Sequence, residues 1–242
     1  MNPQSARSKI QENIQKHRFH LYLIEGPLLP RYAYTVGLSL TTGYELAFAG
    51  GSFFRRLEAA AIIDRLAKNH LEKATQPPST QTLEPYGEFY FERIHTSWVN
   101  QFLNAIPDYF PEETPPCFQI LPDASHSTRD VPQMAAPYST ASHTPWQWIE
   151  KPWPFQISKD ALAATDLPAL RGKRVQEVVR WEEERWELFA SPGDQVNPDD
   201  CRILPLAVLL GLDPSLEIVT RLEIGKGYWR DGEKGDWNRW NW

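Results

Sequence analysis

The sequence predicts an α+β protein: an antiparallel β-meander packed on an amphipathic helix, followed by a second, smaller α+β unit. Three observations carry this expectation. Alternation over Arg31–Leu40 puts Tyr32, Tyr34, Val36 and Leu38 on one face and Ala33, Thr35 and Gly37 on the other, the period of a strand. Leu57, Ala60, Ala61, Ala67 and Leu71 recur at helical spacing, and Ile62, Ile63 and Leu66 widen the stripe. Beyond residue 175, strand-like runs resume around a Glu-rich turn.

The elements follow in order. Residues 5–17 read as a helix, with Ser5 able to cap and Ile10 and Ile14 one turn apart. His20–Ile24 reads as a strand closed by Glu25, Gly26 and Pro27. Pro27 and Pro30 fix the start of the Arg31–Leu40 strand, and Thr41, Thr42 and Gly43 turn the chain into a third strand, Tyr44–Ala49. The helix is expected over Ser52–Ala74, and residues 72–82 read as a polar loop. Tyr86–Ile94 reads as a strand, residues 96–105 as a short helix, and Cys117–Leu121 as a buried strand. Residues 124–145 lack a period and read as a long mobile excursion.

Trp146, Trp148, Trp153 and Phe155 are expected to close the first core, giving an N-terminal domain over residues 1–155. Residues 156–174 read as a linker, lightly anchored by Leu162, Leu167 and Leu170. A C-terminal domain spans residues 175–242. It holds strands over Gln176–Trp181 and Arg185–Phe189, a buried helix over Ile203–Gly211, and a last strand near Tyr228–Arg230.

Composition bounds the function. The chain has 242 residues, 41% hydrophobic and 23% charged, enough for a sizeable core. A net charge of −6 argues against a nucleic-acid footprint. Cys117 and Cys201 stand far apart, so no Cys-x-x-Cys redox or zinc motif is written. The first residues lead into a polar helix rather than a signal peptide, and no apolar run approaches a membrane span. A cytoplasmic protein with free thiols is expected.

Catalytic signals are weak. The six His show no His-x-x-x-His spacing, no Gly-x-Ser-x-Gly elbow occurs, and no catalytic, metal or cofactor residues are assigned. Glu45 and Asp123 are two carboxylates that could approach one another, although structural roles in turns explain both. Gly50, Gly51 and Ser52 precede the long helix. They read either as a tight turn with Ser52 as N-cap or as a cradle for a nucleotide or flavin phosphate, the basis of an alternative enzymatic function. Glu182, Glu183 and Glu184, flanked by Trp181 and Trp186, read as a solvated turn or as a negative patch offered to a basic partner. Trp229, Trp237, Trp240 and Trp242 either cover the second core or form a hot spot for another protein.

Tyr34-Thr35-Val36-Gly37-Leu38, followed by Glu45-Leu46 and the long helix, resembles a bacterial family known as a domain of unknown function. Gln119-Ile120-Leu121-Pro122-Asp123 and Pro145-Trp146 resemble two later segments of that family, so the likeness covers about residues 10–155. Gly43-Tyr44 departs from it where Pro would precede Glu45, and residues 124–145 look inserted. No activity or catalytic residue comes with that resemblance.

The second half is similar to small Trp-containing bacterial immunity domains, through Arg185-Trp186, Leu212-Asp213-Pro214-Ser215-Leu216, Gly225, Arg230 and Trp237. That resemblance implies a non-enzymatic cytoplasmic module that binds and neutralises a cognate toxin with a basic surface. It implies no cofactor, nucleic acid or membrane. The expected partner-binding residues are Glu182, Glu183, Glu184, Trp186, Asp236 and Trp237.

Overall fold

A computed structural model describes residues 3–72, 77–232 and 235–240. They divide into two compact units. The first comprises the chain to Ile24, Arg31–Ser127 and Pro132–Tyr138, and the second comprises Glu25–Pro30, Thr128–Val131 and the chain from Ser139. Each carries a six-stranded sheet with helices, so the protein is α+β. No helix among the described residues is long and apolar enough to cross a membrane.

The first unit holds helices α1 (Pro3–His17), α2 (Ser39–Thr42), α3 (Arg56–Leu71), α4 (Thr96–Phe102) and α5 (Ala105–Tyr109). Its strands are β1 (His20–Ile24), β2 (Tyr32–Val36), β3 (Glu45–Ala49), β4 (Thr80–Leu83), β5 (Gly87–Arg93) and β6 (Cys117–Pro122), in the order β1-β2-β3-β6-β5-β4. The expected meander is there: His20 pairs with Val36, and Tyr34 with Ala47, both antiparallel. It is half of a larger sheet, because β3 continues into β6 through a parallel pairing.

Helix α3 buries Ala59, Ile62, Ile63, Leu66, Ala67 and His70, so the buried stripe is rotated from the expected one: Leu57 is 77% exposed and Ala60 and Ala61 are only half-buried. Ala59, Ile62, Ile63, Leu66 and Ala67 share one core with Ala33, Leu46, Phe48, Phe89 and Ile120. Each fully buried Ile or Leu contributes about 1.5–3 kcal/mol of transfer free energy.

Four further expectations change in this unit. The strand stops at Val36 instead of Leu40, because Gly37 takes φ 91° and Ser39–Thr42 coil into α2. Helix α3 starts at Arg56 instead of Ser52, since Gly50 and Gly51 hold φ of 68° and 70°, outside the helical region. Its expected end at Ala74 lies outside the described residues. The polar loop contains the edge strand β4, tied to α3 where the His70 ring contacts Gln81 Oε1 at 2.8 Å. The expected excursion is tied down as well. Buried Gln119 donates from Nε2 to Pro132 O (2.8 Å) and accepts from Met134 N (3.2 Å).

The second unit holds β7 (Leu162–Asp166), α6 (Leu167–Leu170), β8 (Glu177–Arg180), β9 (Arg185–Phe189), β10 (Cys201–Pro205), α7 (Leu206–Leu212), β11 (Lys226–Trp229) and β12 (Asn238–Arg239). Its order is β10-β7-β9-β8-β11-β12, with β7 and β9 parallel and the other neighbours antiparallel. Residues expected to be linker therefore include a strand and a helix of this unit. The aromatics of residues 146–155 also belong here, not to the first core. Trp146 Nε1 donates to Asp130 O, Trp148 Nε1 donates to Ala207 O on α7, and the rings of Trp148, Trp153 and Phe155 touch one another. The expected helix over Ile203–Gly211 is a strand joined to a helix at Pro205, which leaves Ile203 75% exposed.

Candidate functional site

The Thr35–Gly37 segment and Glu45 explain one another. Glu45 is fully buried. Its Oε1 accepts from Gly37 N (2.7 Å), Ser39 N (3.1 Å) and Ser39 Oγ (2.7 Å), and Thr35 Oγ1 donates to Oε2 (2.6 Å). Thr35 Oγ1 also accepts from Leu46 N (2.9 Å). Position 37 needs Gly twice over: φ is positive, and a Cβ there would run into Ile14. Burial pushes the Glu45 carboxyl up from its ordinary value, and the hydrogen bonds from Thr35, Ser39 and Gly37 pull against that shift. The group closes a turn between β2 and β3 and has no access to a substrate.

Asp123 lies elsewhere. Glu45 pairs with Cys117 at the start of β6, and Asp123 follows the end of β6, roughly 20 Å of strand away. Asp123 Oδ1 accepts from Ser125 N and Ser125 Oγ, and Oδ2 contacts His126 Nδ1 at 2.8 Å. Burial alone would raise this carboxyl, yet the hydrogen bonds from Ser125, His126 and backbone N–H groups hold it well below the usual carboxylate range. Asp, His and Ser are assembled here, but not as a nucleophile relay. Ser125 Oγ also meets Nδ1 (3.0 Å), whereas a relay needs the hydroxyl and the carboxylate on opposite ring nitrogens.

The phosphate cradle loses its geometry too. Gly50 N donates to Arg31 O, Ser52 lies four residues before the helix, and the helix entrance is occupied by its own Glu58, whose Oε2 accepts from Arg55 N (2.7 Å). Among the described residues no group of three or more His, Cys, Asp and Glu is placed to hold a metal ion.

In the second unit the strand register sorts the expected partner residues. Directly paired residues share a face of a sheet. Glu177 pairs with Phe189, Val179 with Glu187 and Gly227, and Ala164 with Glu187 and Ile203. These residues share a face with Trp181 and Leu162; Trp181 is 50% exposed and Leu162 45%, while Val179 and Gly227 on the same face are buried. The opposite face carries Val178, Leu188 and Trp186, all buried. Trp186 is 2% exposed, and its indole lies under the Arg180 guanidinium, 5.1 Å from its centroid. It therefore belongs to the core and offers nothing to a surface partner.

Glu182, Glu183 and Glu184 stand exposed at the β8–β9 tip, where Glu182 pairs with Arg185 (3.0 Å) and Glu184 accepts from Ser158 Oγ (3.0 Å). Asp236 is exposed and Trp237 half-buried at the other end of β8. There Arg230 N donates to Gln176 O, and the Arg230 guanidinium sits 4.2 Å over the Trp237 ring. The structure thus keeps the three glutamates together and holds Asp236 and Trp237 away from them, roughly 13 Å along the strand. Trp242 lies outside the described residues.

Residues 13–127 match the family model of a domain of unknown function (DUF4262). The match ends where Thr128–Val131 of the second unit begins. No curated protein and no solved structure matches the chain.

Sequence reasoning missed the face that carries Trp181 and Glu187. Glu187, Phe189, Val179 and Trp240 line a cavity of about 370 Å³ upon it, together with Glu177 and Trp181. The signal was present in the alternation Glu177-x-Val179-x-Trp181 and Glu187-x-Phe189. It marks a face without saying whether helices cover that face.

Proposed function

We propose that this protein is a non-enzymatic binding module that docks a basic protein through this face of its second sheet, and, more finely, an immunity protein that occludes a toxin. One observation carries the reading: a sheet face on which Trp181, Leu162 and Ile203 stand exposed runs up to the three exposed glutamates of the β8–β9 tip. Exposed aromatic and aliphatic groups beside like-signed charge suit an interface whose anchors are apolar and whose rim steers an oppositely charged partner. The net charge of −6 adds long-range attraction for a basic surface. The Glu182–Arg185 pair is exposed and so contributes at most about 1 kcal/mol, and a partner cation can replace it cheaply.

The test is growth of cells carrying the toxin encoded beside this gene, with and without this chain. Rescue is expected from the natural chain and is expected to be lost on combined replacement of Glu182, Glu183 and Glu184 by Lys, with the melting temperature unchanged. Absence of a neighbouring toxin, or rescue that survives the triple replacement, sinks the reading.

A further inference from the structure

A cavity of about 370 Å³ lies on this sheet face. We infer that it takes the guanidinium of an arginine presented by the partner. This rests on the basic-partner reading above and deepens it.

The cavity is lined by Trp181, Phe189 and Trp240 together with Glu177 and Glu187. The two acids differ. Glu177 Oε2 accepts from Gly193 N (2.8 Å), which fixes that carboxylate at the rim. Glu187 sits in the middle of the sheet, opposite Val179 on one side and Ala164 on the other. Its carboxylate has no hydrogen-bond or ion-pair partner among the described residues. A carboxylate with no partner of its own beside aromatic side chains is open to a charge-assisted hydrogen bond from an incoming cation. Arg185 shares this face and forms an exposed, weak pair with Glu182 at the tip (3.0 Å).

The chemistry of the walls selects the cation. A guanidinium is planar, stacks on an indole face and offers a fork of N–H donors to a carboxylate. An ammonium offers a point charge that holds its water more strongly. Among the described residues no group of three or more His, Cys, Asp and Glu is placed to hold a metal ion, and the two carboxylates repel phosphate. Cys201 lines the same cavity, but burial and the charge of Asp166 push its thiol up, so it stays a neutral wall group.

The probe is N-acetyl-argininamide, titrated into the full chain while the indole N–H resonances of Trp181 and Trp240 are followed by NMR. Millimolar saturable binding is expected at those two indoles. Binding should weaken roughly tenfold or more in Glu187→Gln, the loss of one charge-assisted pair. Neutral N-acetyl-citrullinamide should not bind, and N-acetyl-lysinamide should bind more weakly. Trp181→Leu, at an exposed position, gives a second variant should Glu187→Gln perturb the fold.

Equal shifts with the citrulline amide, or none at Trp181 and Trp240, overturn the inference. An oligolysine peptide separates the two levels. If it binds the tip glutamates while argininamide leaves the cavity untouched, the arginine site falls and the basic-partner reading stands. If neither binds, both fall.

Discussion

Each of the two sheets contains a parallel pair, β3 with β6 in the first and β7 with β9 in the second, and each places a buried carboxylate beside it. Glu45 opens β3 and Asp166 ends β7. Both gather donors from turns that the sheet leaves unpaired. Their donors differ. Glu45 meets two hydroxyls and two backbone N–H groups, whereas Asp166 accepts from the backbone N–H of Ala169 (3.2 Å), Ala190 (3.0 Å) and Ser191 (3.1 Å). A hydroxyl can reverse its role and accept, and an N–H cannot. The first site therefore tolerates a donor on one carboxyl oxygen, and the second does not.

The largest expected effect follows directly. Glu45→Ala strands the N–H groups of Gly37 and Ser39 in a buried turn and should cost about 3–5 kcal/mol in chemical denaturation. Glu45→Gln should cost less than about 1 kcal/mol, because its amide can donate to Thr35 Oγ1 while its carbonyl keeps the three donors at Oε1. Equal losses in the two variants would break the distinction.

The matching change at the other sheet should go the opposite way. Asp166→Asn keeps the shape but sets an amide donor against a backbone N–H, either Ser191 or the Ala169 and Ala190 pair. A loss of about 1–3 kcal/mol is expected, larger than that of Glu45→Gln. An Asn variant as stable as the natural chain would show that the second site adapts as readily as the first.

What could be read in advance follows from how local each cause is. Strands β1, β2, β3, β5, β6, β8 and β9 announce themselves by alternation or by bounded apolar runs. Strand β4, Thr-Gln-Thr-Leu, is polar because it lies at a sheet edge, and its anchor is a His70–Gln81 contact across α3. Strand β10 hides in one apolar run with α7. Periodicity cannot divide such a run, and the joint is Pro205, the last residue of the strand and the cap of the helix.

The site failed in a similar way. Trp181 and Trp186 flank the same three glutamates in sequence. Register alone sends Trp186 inward, opposite Arg180, and leaves Trp181 outward, past the end of the strand. The tip was therefore legible and the face beside it was not. Which face of a sheet is covered depends on helices distant in sequence.

The smallest effect, and the sharpest separation of the two carboxylates, is a pH slope. Glu45 is raised above its ordinary 4.5 by burial, against the hydrogen bonds that oppose the rise. A carboxyl raised in the folded state contributes fully below the unfolded value, where both states are protonated. It loses that contribution as pH rises from 4.5 through the folded value. In the protonated state the 2.6 Å contact with Thr35 reverses: the carboxyl donates to Thr35 Oγ1, and the Thr hydroxyl turns towards Leu46 O (3.5 Å). The natural chain should therefore lose stability with rising pH across that window, by no more than about 1.4 kcal/mol per pH unit. Glu45→Gln removes the titrating group and should remove this component of the slope, while Asp166→Asn should leave it in place. Denaturation midpoints of the three proteins from pH 4 upward decide the matter. A slope that survives Glu45→Gln belongs to another group, and the buried proton would then have no place in the Thr35–Glu45 turn.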